Sequence, residues 1–395
     1  MSERVYLDWN ATAPLRPEAR AAMAAAGDVV GNPSSLHREG RAARAVIEDA
    51  REQVAHLLGA AASNVVFTSG GSEANALALS PMTQSDDART WSRLLVSAIE
   101  HPSVLVGGRF SPDAVEILPV TPAGVVDLAH IERRLATLAA VGERPLVSIM
   151  AANNETGVVQ PVRSAADLVH AAGCRLHVDA VQAAGKIFID IKALGADFMT
   201  VSAHKLGGPK GAGALVRADE NLAWPAALIR GGGQQRGVRA GTENVAAIAG
   251  FGAAAAAAAA GFGAERTRML ALQDRLETGI AAGPSTAVVF GNTVERLPNT
   301  TMVAVAELRA ESLLIGLDLE GVAVSTGSAC SSGKVTPSHV LAAMGVGSDL
   351  ASAALRLSLG WTTTEADIDR FLEAWRTLVS RLNKSSKKGQ RGLSA

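Results

Sequence analysis

Seven short apolar runs recur between residues 65 and 216, and helical patterns lie between several of them. The runs cover residues 65–68, 93–97, 115–119, 145–150, 175–178, 198–202 and 213–216, with helical patterns at 72–79, 127–139 and 164–172. Apolar strands that alternate with helices are typical of a mostly parallel sheet covered on both faces. The sequence therefore predicts an α/β fold with a mostly parallel seven-stranded sheet, and an active site at the carboxyl ends of its strands.

The pattern changes after residue 260. Apolar residues then recur at helical spacing over 265–281, and short strands and helices follow as far as residue 383. This mixture indicates a smaller α+β C-terminal domain. We expect a large domain over residues 15–260, a small domain formed by residues 1–14 and 261–383 that carries Cys330, and a disordered polar tail at 384–395.

The composition argues against several classes of partner. A net charge of −1 over 395 residues and only 4% aromatic residues predict neither attraction to nucleic acid or anionic membranes nor a base-stacking surface. The chain has two distant cysteines, which favours a reducing compartment such as the cytoplasm. Residues 245–264 contain no polar side chain, but Ala and Gly insert weakly into bilayers, so we expect a buried helix there.

Lys205 is the most informative single residue. It follows the apolar run 198–202 and precedes a glycine-rich loop. A lysine at the end of a core strand is costly to bury, and partial desolvation lowers its pKa toward the neutral amine that a Schiff base requires. This placement points to pyridoxal 5′-phosphate (PLP) as a cofactor.

Other strand ends carry groups that would suit PLP. Gly71 and Ser72 stand at a strand–turn–helix junction, where backbone N–H groups can bind phosphate; an ordinary βα turn is the alternative. Asp179 ends the run 175–178 and could pair with a protonated ring nitrogen, with Gln182 near the phenolic oxygen; a helix N-cap is the alternative for Asp179. The glycine-rich, cationic loop 230–244 suits phosphate contact or is a flexible surface loop.

Two further strand ends carry polar side chains. His101 follows the run 93–97 and could stack on a flat ring and move protons, although a structural role is the alternative. Asn154 lies in a polar cluster after the run 145–150, which is either turn chemistry or a pocket wall.

The C-terminal part holds two candidates. Cys330 stands among Ser, Thr, Gly and Ala, a setting that suits an exposed, moving thiolate, whereas Cys174 lies beside a core strand and indicates packing. Arg356 lies inside an apolar run, where an arginine usually meets a carboxylate and would suit an amino-acid substrate.

These motifs occur together in one order. They include Gly31-Asn32-Pro33-Ser34-Ser35, Glu100-His101, Asn153-Asn154-Glu155-Thr156-Gly157, His177-Val178-Asp179-Ala180-Val181-Gln182, Ser202-Ala203-His204-Lys205, Arg239-Ala240-Gly241-Thr242-Glu243-Asn244 and Gly327-Ser328-Ala329-Cys330. In them the chain resembles, over residues 5–380, the cysteine desulfurases of the NifS/IscS type, within the class V aminotransferase family of fold-type I PLP enzymes.

The resemblance implies a role for each matching residue. Lys205 would carry PLP, and the phosphate would be held by Gly71, Ser72, Ser202 and His204, with Thr242 reaching in from the partner subunit of a homodimer. Asp179 would pair with the ring nitrogen, Gln182 would touch the phenolic oxygen and His101 would stack on the ring and take part in catalysis. Asn154, also beside the cofactor, and Arg356 would bind the substrate carboxylate.

The implied reaction converts L-cysteine to L-alanine and leaves the sulfur as a persulfide on Cys330. The sulfur would pass to an iron–sulfur scaffold protein of the IscU/NifU type, where Cys330 could be a transient cluster ligand; no metal site of the chain's own is expected. Ser72 stands where the family more often has Thr, and the C-terminus lacks the extended tail of IscS-type members, which leaves the acceptor open and favours a NifS-like role.

Other functions remain open at this point. Selenocysteine lyase activity or another class V PLP reaction would use the same cofactor, but simple transamination has no use for a mobile thiol. A non-catalytic protein of the same fold would be expected to have lost the lysine or the cysteine, and both are present.

Overall fold

A seven-stranded sheet runs through the larger part of the protein. The structure is a computed structural model that describes residues 4–84, 91–283, 286–327 and 338–392. The sheet consists of β2 (Val65–Thr68), β3 (Arg93–Ser97), β4 (Val115–Leu118), β5 (Pro145–Met150), β6 (Arg175–Asp179), β7 (Phe198–Ser202) and β8 (Gly213–Arg217), after β1 (Val5–Tyr6) at the N-terminus. Its order is β2-β8-β7-β6-β5-β3-β4. Only β8 pairs antiparallel to its neighbours, so the predicted fold class is confirmed.

Twelve α-helices are present in the described part of the chain. They are α1 (Pro17–Gly27), α2 (Arg38–Leu57), α3 (Gly71–Ala78), α4 (Pro102–Leu105), α5 (Leu128–Ala140), α6 (Val162–Ala171), α7 (Ile191–Leu194), α8 (Val245–Ala281), α9 (Ala310–Leu319), α10 (His339–Ala343), α11 (Ser348–Ala351) and α12 (Glu365–Gly392).

Both faces of the sheet are buried, except at the edge strand β4, because most strands carry apolar residues at successive positions. In β2, Val65 and Phe67 join one buried cluster, which includes residues of α2, α5, α6 and α8, whereas Val66 joins a second cluster with Leu77 and Phe198 on the other face. Neighbouring residues of a strand point to opposite faces, so a continuous apolar run predicts this double coverage.

Helix α8 is one continuous element of 37 residues, whereas the sequence predicted two helices, over 245–264 and 265–281. Its first part packs into the large cluster through residues such as Phe251 and Ala254, and its last turns contribute Leu272 and Leu276 to a separate cluster. By length and composition α8 could also cross a membrane, but half of its most apolar stretch is buried within the protein. The Ala-rich segment is therefore a packed helix, as expected.

A second sheet lies in the C-terminal part. It consists of β9 (Ala287–Val289), β10 (Thr300–Val305), β12 (Ser325–Thr326) and β13 (Ala354–Ser358), in the order β12-β13-β10-β9. The N-terminal strand β1 pairs with β11 (Val322–Ala323), and Asp8 forms a bridge to Ser358. This pairing fixes the start of the chain beside β13.

The last helix is longer than predicted. Helix α12 continues to Gly392, whereas we expected disorder from residue 384. Residues 384–392 are polar, with Lys, Ser and Gly, and an existing helix can propagate through them because extending a helix costs much less than nucleating one.

Candidate active site

A cavity of about 310 Å³ opens at the carboxyl ends of the central strands. Ten of the residues predicted from the sequence line it: Gly71, Ser72, His101, Asn154, Asp179, Gln182, Ser202, His204, Lys205 and Arg356. Thr242 is exposed and is not among the lining residues, and Cys330 lies outside the described residues. The structure therefore brings together residues from strand ends that are up to 285 positions apart, from Gly71 to Arg356.

Lys205 lies in a short helical turn directly after β7. Its Nζ donates hydrogen bonds to the backbone carbonyls of Asn10 and Ala11, the latter at 2.8 Å. The amine is therefore held against the N-terminal segment at the cavity wall, on the side where β1 brings the start of the chain.

Asp179 ends β6 and is buried. Its Oδ1 accepts a hydrogen bond from the backbone N–H of Val181 at 2.9 Å, and its Oδ2 accepts one from Asn75 Nδ2 at 2.8 Å. No cation is paired with it among the described residues, so the carboxylate is oriented by neutral donors and remains available to a positive group in the cavity.

The N-terminus of α3 forms a cradle on another side of the cavity. A Cβ on Gly71 would come within 3.0 Å of Val181 Cγ2 and 3.4 Å of Ser202 Cβ, so the absence of a side chain lets the backbone approach closely. Ser72 and Ser202 add hydroxyl groups. Free N–H groups at a helix start together with hydroxyls form an anion site.

His204 lies beside this cradle. Its Nδ1 is 3.2 Å from Thr12 Oγ1, and burial together with the positive charges of Lys205 and Lys210 lowers the pKa of its imidazole to about 4. The ring is therefore neutral at pH 7 and can serve an anion only as a hydrogen-bond donor.

Arg356 lies on β13 and is only 2% exposed. One terminal nitrogen pairs with Asp8 at 2.8 Å, and the other donates to the backbone carbonyl of Asn154 at 3.1 Å. Its Nε is buried without a partner among the described atoms. The guanidinium is thus fixed at the cavity wall by two hydrogen bonds.

Sequence reasoning missed a network centred on Asn10. The Asn10 carbonyl accepts from Lys205 and from Gln182 Nε2, and its side chain bonds to Asn299 and Thr300 in the C-terminal part. A buried second lysine, Lys186, donates to Gln182 Oε1 at 2.8 Å.

Burial lowers the pKa of Lys186 well below its usual value, with the positive charges of Lys205 and Arg356 acting in the same direction. In the sequence Lys186 stands four residues after Gln182 and between apolar residues. This position was the signal that could have found it.

Within the described ranges no group of three or more His, Cys, Asp or Glu side chains is placed to hold a metal ion. The groups that the cavity offers to a ligand are an amine, a buried carboxylate, an anion cradle and an arginine.

Comparison with known proteins assigns this fold and site to a family. The pattern of the aminotransferase class-V family matches residues 5–371. A cysteine desulfurase of Cereibacter sphaeroides is 44% identical over 386 residues, covering 96% of this chain and 97% of that protein. The cysteine desulfurase IscS 1 of Archaeoglobus fulgidus is 39% identical, covering 96% of this chain and 98% of that protein.

The solved structures lead to the same family. A NifS-like protein of Rickettsia africae superposes with a TM-score of 0.86 at 37% identity, covering 96% of this chain and 100% of that one. The chain therefore belongs to the cysteine desulfurases of the class V aminotransferase family.

Proposed function

We propose that this chain uses PLP, held in the cavity of about 310 Å³, to convert L-cysteine to L-alanine and that it holds the released sulfur on Cys330 as a persulfide. The observation that carries the proposal is the convergence of Lys205, Asp179 and the start of α3 on one cavity. Family membership supports cysteine desulfuration among the possible PLP reactions, because relatives that match nearly the whole chain are cysteine desulfurases.

The residues present fit PLP. The Asp179 carboxylate, oriented by neutral donors, suits a protonated ring nitrogen, and the start of α3 with Ser72 and Ser202 suits the phosphate. Lys205 would carry the cofactor, Gln182 would contact its phenolic oxygen and His101 would stack on its ring. When bound, PLP supplies an electron-withdrawing ring that stabilises negative charge at the substrate Cα.

The chain's own groups position and deprotonate the substrate. Arg356 and Asn154 would bind the carboxylate of L-cysteine, since both line the cavity. The Lys205 amine would take the proton from Cα, because a neutral amine beside the reacting carbon is a suitable base. The carbonyls of Asn10 and Ala11 would hold that amine when it is free.

The sulfur then moves from carbon to the protein. The Cys330 thiolate attacks the substrate sulfur, a C–S bond breaks and an S–S bond forms, and the substrate carbon takes a proton in place of sulfur. One thiol and one cysteine thus give one persulfide and one alanine, so atoms and electrons balance without an external oxidant.

We propose an iron–sulfur scaffold protein of the IscU/NifU type as the acceptor, in the cytoplasm, with Cys330 as a transient cluster ligand during transfer. A homodimer is part of the proposal, because the exposed position of Thr242 suits contact with the cofactor phosphate of a partner subunit. The names of the relatives, which include IscS and NifS-like proteins, support this assignment.

The test compares the two cysteines. Purified protein with PLP, L-cysteine and a reducing agent should form alanine and sulfide in equal amounts. Cys330→Ser should reduce sulfide formation by about a hundredfold or more, whereas the matched control Cys174→Ser, at a buried position, should keep the wild-type rate.

Equal rates in wild type and Cys330→Ser would contradict the persulfide step. A protein that releases selenide from L-selenocysteine but forms no alanine from L-cysteine would favour the selenocysteine lyase alternative.

A further inference from the structure

The surroundings of His101 carry an inference that rests on the proposed function and deepens it. His101 precedes α4, and its Nδ1 accepts a hydrogen bond from the backbone N–H of Ser103 at 3.2 Å. The hydroxyl oxygen of Ser103 lies 2.8 Å from the same nitrogen. Two groups of one residue therefore converge on one ring nitrogen.

The Ser103 hydroxyl is itself held by Asn75. Asn75 Nδ2 donates to Ser103 Oγ at 2.9 Å and to Asp179 Oδ2 at 2.8 Å, which uses both amide hydrogens. A carboxylate can only accept, so the amide nitrogen must face Asp179. Asn75 Oδ1 is left buried without a partner among the described atoms, so these two donations, and no bond of its own oxygen, determine the orientation of the amide.

These contacts determine which atom donates the hydrogen in the bond between Ser103 and His101. Ser103 Oγ already accepts from Asn75, and the Ser103 backbone N–H already points at Nδ1. A proton on Nδ1 would face that N–H, and it would leave the Ser103 hydroxyl hydrogen without its acceptor. Nδ1 is therefore the acceptor, and the hydroxyl donates to it.

We propose that Ser103, held by Asn75 and Asp179, is a positioning residue that fixes the tautomer of His101, so that the neutral ring carries its proton on Nε2 and presents a hydrogen-bond donor to the cavity. In this state Nε2 has no lone pair in the plane of the ring, so neutral His101 cannot act as a base there. Taking the proton from the substrate is left to Lys205, and His101 stabilises negative charge by donation.

The charged and titratable groups around His101 are Asp179 at the end of β6, Lys205 after β7 and His339 on α10. Burial lowers the pKa of His101; the charges of Lys205 and His339 lower it further, and that of Asp179 raises it. All three groups stay in place when Ser103 is changed, so a shift seen in a Ser103 variant reports the loss of the hydroxyl.

The experiment observes the ring directly in the PLP-loaded protein. Histidine labelled with ¹⁵N reports tautomer and titration, and His101→Gln identifies the signal of His101. In the wild type we expect an unprotonated Nδ1 and a protonated Nε2 above the pKa of the ring. A proton on Nδ1 in the wild type would overturn the proposal without any need for a variant.

Ser103→Ala removes the hydroxyl but keeps the backbone donor. We expect the His101 pKa to rise by about one pH unit, equivalent to about 1.4 kcal/mol, the size of one neutral hydrogen bond. The acidic limb of the pH profile of kcat/KM for alanine formation should shift to higher pH by the same amount. Ser103→Thr keeps a hydroxyl and should restore the wild-type titration; unchanged titration in Ser103→Ala would overturn the proposal.

A matched control is available in the sheet. Ser148 Oγ lies 2.8 Å from His177 Nδ1, the same pair of atoms at the same distance, and neither residue lines the cavity. Ser148→Ala should leave the His101 signals unmoved. Wild-type protein that forms no alanine from L-cysteine would count against the proposed function, whereas the tautomer measurement judges the role of Ser103 independently.

Discussion

Two serine–histidine pairs with the same Oγ–Nδ1 distance occupy two different regions of this protein. His101 and Ser103 lie at the carboxyl edge of the sheet, against the cavity, and His177 and Ser148 lie on neighbouring strands inside the sheet. In both pairs the serine oxygen is 2.8 Å from Nδ1. The difference between them is therefore in the surroundings and not in the residues.

Inside the sheet the polar groups form a closed set. His177 is fully buried, its second nitrogen lies 3.0 Å from Thr200 Oγ1, and burial lowers its pKa to about 3. At the edge, His101 faces the cavity together with Asp179 and Lys205. Neutral groups that bond to one another inside the sheet contribute to stability but do not reach a ligand, whereas the groups at the edge present charges and donors to the cavity.

The largest effect is expected at the edge. Lys205→Ala should lower alanine formation by about a thousandfold or more, since both the cofactor attachment and the base are lost. When both proteins are compared without PLP, its midpoint of urea unfolding should stay close to that of the wild type. Lys192→Ala, at an exposed position on α7, is the control and should keep the activity. Substantial turnover by Lys205→Ala would show that this residue at the edge of the sheet is not needed for activity.

Arg356 extends the comparison to the wall contributed by β13. Arg356→Gln removes a charged donor from the cavity and should raise the KM for L-cysteine about a hundredfold, with a smaller change in kcat. Asp8→Asn removes the partner of Arg356 but leaves the guanidinium, so its KM should rise less than about tenfold. Steady-state kinetics measure both, and the reverse order would contradict the assignment of Arg356.

The interior pair should respond in the opposite way. Ser148→Ala leaves Nδ1 of a buried histidine without its partner and should lower the free energy of unfolding by about 1–3 kcal/mol. The kcat per folded molecule should not change, because the pair has no contact with the cavity. Urea unfolding and an alanine assay on the same preparation measure the two quantities; lost activity at unchanged stability would place Ser148 in the site.

Glu100 tests where the site ends and the buried interior begins, because it is next to His101 in sequence but lies in the interior. Ser97 and the Met150 N–H both donate to its Oε1 at 2.6 Å, and burial, with a contribution from the charge of Asp179, raises its pKa to about 8. Between the usual pKa near 4.5 and this value the folded state holds a proton that the unfolded state releases. The stability from Glu100 is therefore complete below pH 4.5 and is lost as the pH rises through 8.

Glu100→Gln should remove this dependence. The wild type should lose up to about 1.4 kcal/mol of stability per pH unit relative to the variant across that window. Urea unfolding at several pH values measures the slopes; parallel slopes for the two proteins would show that Glu100 is ionised in the folded protein at pH 7.

The sequence predicted the central sheet well because most of its strands are apolar runs between turn signals. The candidate site followed from the same pattern, since the polar residues at strand ends, such as Asp179 and Lys205, must meet at one edge of a parallel sheet. Helix α8 was divided wrongly because the pattern changes from Ala-rich to amphipathic at residue 265, whereas burial on both sides of that point keeps the helix continuous.

The hydrogen-bond partners were out of reach of sequence reasoning. Asn10 meets Gln182 across 172 positions, and Asn75 meets Asp179 across 104, so their pairing depends on how the strands and the N-terminal segment pack. Ser103 was visible two residues after His101, but its effect on the ring requires the position of Asn75 as well.

We propose that Lys205, and not the neighbouring buried Lys186, carries the cofactor. The two lysines share the wall of a second, smaller cavity, so they can be compared within one protein. Reduction of the PLP-loaded protein with sodium borohydride, followed by digestion and peptide mass spectrometry, would locate the attached lysine. We expect the phosphopyridoxyl group on the peptide that contains Lys205. A phosphopyridoxyl group on Lys186, or on no lysine at all, would show that Lys205 does not carry the cofactor.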